Sequence, residues 1–199
     1  MNQLILIRHP ATGLAGTFCG HSDPDLDAAG HAQLQTLQHR LTSVRFDRLI
    51  SSDLRRASRC AEALARPRGI PVELCAGLRE MHFGAWEGLR WSDIEARFPA
   101  QARRWLQEFA AFTPPDAEPY AHFTARIHRQ VSEWLQDASS TTLVVVTHRG
   151  VLQLILQTYC GIESAAAWQQ TCRYASVLFC VPTLRGNSPF TIEDRWHPD

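Results

Sequence analysis

The strongest constraint on this 199-residue chain is the run Leu4-Ile5-Leu6-Ile7, which stops at Arg8-His9-Pro10. Four apolar, mostly branched residues in succession describe a strand buried on both faces. Pro10 lacks an N–H and cannot continue a central strand, so Arg8 and His9 fall where the strand leaves its sheet. A second run has the same form: Leu143-Val144-Val145-Val146-Thr147 is followed by His148-Arg149-Gly150. Ligand crevices in open α/β sheets lie outside the carboxyl ends of the strands. Two such ends would bring two imidazoles and two guanidiniums to one sheet edge, a site suited to a dianion and above all to a phosphate. A single His after a strand is ordinarily a hydrogen-bonded turn residue; the repetition is what points to function.

The rest of the chain supplies the frame for that edge. Residues 11–27 are rich in Gly, Ala, Ser, Asp and Pro and read as a long loop, a length that in compact domains usually serves function. Asp27 is a fair N-cap for a helix with the stripe Leu34, Leu37, Leu41. Phe46 to Ile50 reads as a short strand, and Ser51-Ser52 as a cap for a helix carrying Leu54, Ala57, Ala61 and Leu64, ended by Pro67 and Gly69. Arg55 and Arg56 lie in its first turn, both more than about 90° from the stripe at ~100° per residue, so register does not choose between a solvated charge and one aimed over the sheet edge. Residues 70–74 read as a strand, 78–88 as irregular structure, 91–112 as a helix, and Tyr120 to Leu135 as the clearest helical stripe. A strand at 142–147, a helix at 151–160 ended by Gly161, and late strands at Ala175–Val181 and Phe190–Ile192 follow.

Strand alternating with helix predicts a three-layer α/β/α sandwich on a mostly parallel, doubly wound sheet, with a helical insertion at about 85–135 and one domain over 1–199. Twenty basic against twenty acidic side chains give no whole-chain bias towards nucleic acid or an anionic membrane. None of Cys19, Cys60, Cys75, Cys160, Cys172 and Cys180 forms a Cys-x-x-Cys pair, and the His residues are not at zinc-finger spacing, so a structural metal is not expected; no cofactor is expected either. No run approaches membrane-spanning length, and the first apolar run lacks the form of a signal peptide, which makes the cytoplasm the default compartment. Walker, Gly-x-Gly-x-x-Gly and Gly-x-Ser-x-Gly signatures are missing.

Four stretches taken together carry a resemblance. Arg8-His9, Ser51-Ser52-Asp53-Leu54-Arg55-Arg56-Ala57, Leu78-Arg79-Glu80 with Phe83-Gly84-Ala85-Trp86-Glu87-Gly88, and Thr147-His148-Arg149-Gly150 resemble, in this order, the histidine phosphatase superfamily, which includes the phosphoglycerate mutases. Phe18-Cys19-Gly20-His21-Ser22-Asp23, followed by Leu26, is similar to the alpha-ribazole phosphatase branch, which acts late in cobalamin synthesis. The resemblance implies that His9 is a phosphorylated nucleophile, Arg8 and Arg56 are phosphate clamps, Glu80 is the proton donor and His148 is the second imidazole. It also puts Thr12, Cys19 and Gly20 beside the phosphate. The sequence departs from the family pattern at Pro10, where Gly is usual, at Ala11, where an acidic residue is common, and at Ala15, where Asn is expected.

The resemblance implies a metal-independent phosphomonoester hydrolase acting through phosphohistidine on a small molecule such as alpha-ribazole 5′-phosphate. Phe83, Trp86, Trp91 and Tyr120 are candidates to stack on its base, or else simply core. Mutase-type phosphoryl transfer and a non-catalytic phosphate-binding module are the alternatives. The oligomeric state stays open between a monomer and a homodimer.

Overall fold

The computed structural model describes residues 1–136, 141–183 and 188–198. In chain order its main elements are β1 (Gln3–Arg8), α1 (Ala28–Arg40), β2 (Arg48–Ser51), α2 (Arg55–Ala65), β3 (Val72–Leu74), α3 (Trp91–Arg97), α4 (Pro99–Glu108), α5 (Tyr120–Gln136), β4 (Thr142–Thr147), α6 (Arg149–Tyr159), α7 (Ser164–Thr171), β5 (Val177–Pro182) and β6 (Phe190–Trp196). The strands form one six-stranded sheet in the order β3-β2-β4-β1-β5-β6. The β3–β2, β2–β4 and β4–β1 pairs are parallel; β5 runs antiparallel to β1, and β6 antiparallel to β5. The sheet is therefore mixed, with its parallel part holding the two strands that end in His.

Those strands are buried on both faces because their side chains divide by parity. Leu4, Leu6 and Val145 pack with Phe123, Ile127 and Val131 of α5 and with Leu152 and Ile155 of α6. Ile5, Ile7, Val144 and Val146 pack on the other face with Leu34 and Leu37 of α1 and Ala57, Ala61 and Leu64 of α2. Each fully buried Val, Leu or Ile stabilises the sandwich by about 1.5–3 kcal/mol relative to exposure. Any shift of β1 along β4 would break two layers at once, and this pins the register that places the strand ends.

Several local expectations need correction. The helix expected over 91–112 is two helices, broken where Phe98 leaves helical geometry (φ −131°, ψ 51°) ahead of Pro99. The apolar Leu106 and Phe109 within it are exposed, Leu106 at 69%. Within the expected insertion, Trp86, Ile94, Ala102 and Phe112 form a separate small core with Phe18, Phe83 and Trp91 against it, whereas α5 belongs to the main core under the sheet. Ser51 and Ser52 do not cap α2: Ser51 ends β2, and Leu54 occupies the cap position with no side-chain cap bond. Helix α7 lies in a stretch with no element expected from the sequence; its Ala167 and Thr171 are buried while Trp168 is exposed. Asp27 caps α1 as expected, its Oδ1 accepting from Gly30 N–H at 2.7 Å. No helix among the described residues is long and apolar enough to cross a membrane.

Candidate active site

Adjacent parallel strands lie about 4.8 Å apart, so residues just beyond their ends meet. Arg8 pairs with Thr147 in register, and His9 N–H donates to the Thr147 carbonyl at 3.0 Å. The rings of His9 and His148 follow at a centroid distance of 5.1 Å. Both histidines and Arg8 are buried, although all three leave the sheet at its edge.

His9 Nδ1 lies 2.7 Å from the Pro10 carbonyl oxygen. A carbonyl can only accept, so Nδ1 carries the proton and Nε2 keeps its lone pair. Burial first, then the charges of Arg56 and Arg8, hold the His9 pKa well below the ordinary value, outweighing the Pro10 hydrogen bond. His148 is likewise held low, by burial and then by Arg56 and His9. Both imidazoles are thus neutral near pH 7. His148 Nε2 is 2.8 Å from Ser52 Oγ, and its buried Nδ1 has no partner among the described residues.

The two candidate clamp arginines are held by backbone carbonyls, not by carboxylates, among the described residues. Arg8 Nη1 donates to Thr171 O (3.0 Å) and Cys172 O (2.5 Å), and its guanidinium lies 3.9 Å from the Tyr174 ring centroid. Burial lowers its pKa to about 10, so it stays charged at neutral pH. Arg56 is completely buried. Its Nη1 donates to Ser22 O at 2.7 Å, and its Nη2 to Cys19 O at 3.2 Å and Gly20 O at 2.7 Å. Arg55, the neighbour that helix register could not separate from it, is exposed and pairs with Asp25. The Nε atoms of Arg8 and Arg56 are buried without a partner among the described residues. A buried donor on a charged group is costly to leave unpaired, and an anion's oxygens would satisfy both.

The Cys19–Ser22 loop is fixed from two sides. Arg56 takes its carbonyls, while the Glu87 carboxylate accepts from the N–H groups of Gly20 (3.1 Å), His21 (2.8 Å), Ser22 (3.1 Å) and Phe83 (3.0 Å). Burial pushes the Glu87 carboxyl up, but these donors outweigh it and hold it below the usual range. Any Cβ at Gly20 would run into the Met81 carbonyl and the Glu87 carboxylate, so this glycine is required for close approach. Thr12 is buried and bridges to Leu26, which places it in the base of the same loop.

Glu80 is buried, and its oxygens accept from Met81 N–H at 3.1 Å and Gly150 N–H at 2.9 Å. Gly150 lies two residues past His148, so this bond joins the candidate acid to the second strand end. Arg126 fastens the backbone beneath it, donating to the carbonyls of Gly77, Arg79 and Glu80 while paired with Glu118 at 2.8 Å.

All five expected catalytic side chains thus occupy one buried edge or the segments tied to it. Sequence reasoning missed Ser52 as the partner of His148, Tyr174 beneath Arg8 and beside His9, and Gly150 as the cradle of Glu80. Gly150 was visible directly after a strand-terminal His-Arg pair, and Ser52 was misread as a cap; nothing local marked Tyr174. The proposed stacking aromatics fare differently. Trp86 is sealed in the small core, and Phe18 closes edge-on over Phe83 at 5.0 Å and Trp86 at 5.8 Å.

Neutral His at the end of a parallel strand, between carbonyl-anchored guanidiniums and with a buried carboxylate tied to the neighbouring strand end, is an arrangement suited to phosphoryl transfer on a three-layer α/β fold. The chain belongs to the histidine phosphatase superfamily (branch 1), whose family model matches residues 4–189. It is 30% identical over 168 residues to the adenosylcobalamin/alpha-ribazole phosphatase of Salmonella typhimurium, covering 83% of each chain. It is 28% identical over 171 residues to a glucosyl-3-phosphoglycerate phosphatase of Mycolicibacterium vanbaalenii, covering 81% of this chain and 76% of that one. The crystal structure of the alpha-ribazole phosphatase from Shigella flexneri superposes with a TM-score of 0.84 at 26% identity, covering 96% of this chain and 94% of that one. These relatives are named phosphatases, and hydrolysis of small-molecule phosphates is the activity they share with this chain.

Proposed function

We propose that this chain, a single domain, hydrolyses the phosphomonoester of alpha-ribazole 5′-phosphate, or of the corresponding cobalamin phosphate, to the free alcohol through a phosphohistidine on His9. The observation that carries the chemistry is a neutral His9 with its tautomer fixed by Pro10, set beside the guanidiniums of Arg8 and Arg56, whose buried Nε atoms have no partner among the described residues. His9 Nε2 attacks phosphorus and the ester P–O bond breaks. Charge on the equatorial oxygens falls to Arg8, Arg56 and His148, which act by position and electrostatics, the main needs of phosphoryl transfer. Glu80 gives its proton to the departing alkoxide. It then takes a proton from the water that attacks the phosphohistidine, so inorganic phosphate leaves and His9 returns neutral. Thr12, Cys19 and Gly20 shape the phosphate end. Similarity over most of the chain to named alpha-ribazole phosphatases supports the substrate and a place in cobalamin biosynthesis. Mutase-type return transfer is not favoured, because the relatives release phosphate.

Quenching the reaction with labelled phosphomonoester should leave acid-labile phosphate on His9, and His9→Ala should carry none. Labelling of His9→Ala at the wild-type level would overturn the nucleophile. Turnover of ribose 5-phosphate with a kcat/KM equal to or above that for alpha-ribazole 5′-phosphate would overturn the substrate and leave the phosphatase chemistry standing.

A further inference from the structure

The alcohol half of a phosphomonoester leaves past its proton donor, so the residues around Glu80 decide which alcohol is accepted. Glu80 is tied by Gly150 N–H to the first turn of α6, and the residue before Gly150 is Arg149. The Arg149 guanidinium carbon lies 3.2 Å from the centroid of the Trp168 ring. Its Nε is buried without a partner among the described residues. Arg8 and Arg56 are largely committed to carbonyls. Glu80, Tyr174 and Cys172 are near enough to act on the Arg149 charge. Trp168 is 56% exposed and lies one turn before Thr171, whose carbonyl anchors Arg8. A guanidinium–indole contact therefore stands beside the site, next in sequence to the glycine that holds Glu80 and one turn from the carbonyl that anchors Arg8. The opposite aromatic wall is consumed by its own packing, Trp86 being fully buried and Trp105 edge-on to it at 5.3 Å.

We propose that Arg149 and Trp168 form a stacking platform for a flat heteroaromatic group on the leaving alcohol, and that they set the selectivity of the enzyme. This rests on the alpha-ribazole reading, whose substrate carries such a group. A planar, weakly hydrated guanidinium stacks on aromatic faces in a way an ammonium cannot, and heteroaromatic bases stack on both indole and guanidinium planes.

The test compares kcat/KM for alpha-ribazole 5′-phosphate with that for ribose 5-phosphate, which lacks the aromatic group. The ratio should fall about 10-fold or more in Trp168→Ala and in Arg149→Gln, chiefly through KM for the aromatic substrate, as the loss of one stacking platform allows. Trp168→Phe should keep most of the ratio, while Arg149→Lys, with the charge but not the plane, should lose it. A merely structural role would lower both substrates together and leave the ratio unchanged. A wild-type enzyme that prefers the aromatic substrate while both disruptive variants keep its ratio would overturn this inference alone. A wild-type enzyme without preference would overturn the substrate reading and the platform with it.

Discussion

Replacing Gly150 with Ala isolates the proton transfer assigned to Glu80 from the rest of the pocket. The new Cβ would stand 3.2 Å from Glu80 Cδ and 3.4 Å from Oε2, and closer still to Oε1. The carboxylate has little room to yield, being buried and held by two N–H groups. The backbone, in contrast, has no quarrel with Ala: Gly150 sits in the first turn of α6, outside the positive-φ glycines, and Ala gains up to about 1 kcal/mol over Gly in a helix. The substitution therefore strikes the acid more than the fold. General acids contribute about 10²–10⁴-fold, or ~2.7–5.5 kcal/mol at about 1.36 kcal/mol per decade. An alkyl phosphate needs that proton fully, whereas 4-nitrophenyl phosphate, with a good leaving group, needs little of it. Gly150→Ala should thus cut kcat/KM for an alkyl phosphate by about 10²-fold or more and for the aryl ester by far less, provided phosphorylation limits turnover. Thermal melts read beside the kinetics should stay cooperative. Equal losses on both esters in a folded variant would refute the reasoning, because a displaced general acid must discriminate by leaving group.

The buried histidines make stability depend on pH. Both are held well below the ordinary value of about 6.5, which the unfolded chain regains, so below that pH the unfolded state binds more protons. Stability should be complete above pH ~6.5 and fall as the pH drops below it, by up to about 1.4 kcal/mol per unit for each His. His9→Asn with His148→Asn should flatten the slope in urea melts from pH 7.5 to 5, and an unchanged slope would exclude these groups as its source. Arg56→Lys removes the fork that spans the Cys19, Gly20 and Ser22 carbonyls and should lower stability by about 1–3 kcal/mol by melting, as well as weakening inhibition by inorganic phosphate. A variant equal to wild type in both would deny Arg56 its double role. Activity should survive excess EDTA, since guanidiniums supply the charge; reversible loss restored by Mg²⁺ or Zn²⁺ would show that this charge was misassigned.

What the sequence makes legible here depends on how local the cause is. Burial of β1 and β4 on both faces follows from their own residues, and so does the placement of His9 and His148 at strand ends. That the two strands are neighbours does not: β4 follows β1 by more than 130 residues, and only the packing of α5 and α6 on one face and α1 and α2 on the other brings them together. The break at Phe98–Pro99 is marked in the sequence by the proline itself, which the reading of one helix over 91–112 runs through. The small aromatic core was illegible, because a stripe looks the same whether it meets a ligand or other rings.

Arg55 and Arg56 show where the limit falls within the site itself. As neighbours in one helical turn, they differ by about 100° of azimuth, and both lie off the apolar stripe. No propensity separates them. What does is three carbonyls of a loop more than 30 residues earlier, turned towards α2 because Glu87 has taken that loop's N–H groups. A guanidinium without an anion can be buried only where neutral acceptors satisfy it. Arg56 meets that condition at Nη1 and Nη2, and Arg55, facing Asp25 in solvent, does not. Carbonyl anchoring of the two arginines fits the phosphate-clamp role proposed for them. A carboxylate at the same place would neutralise the guanidinium and repel the incoming dianion, whereas carbonyls fix its position and leave its charge to the phosphate.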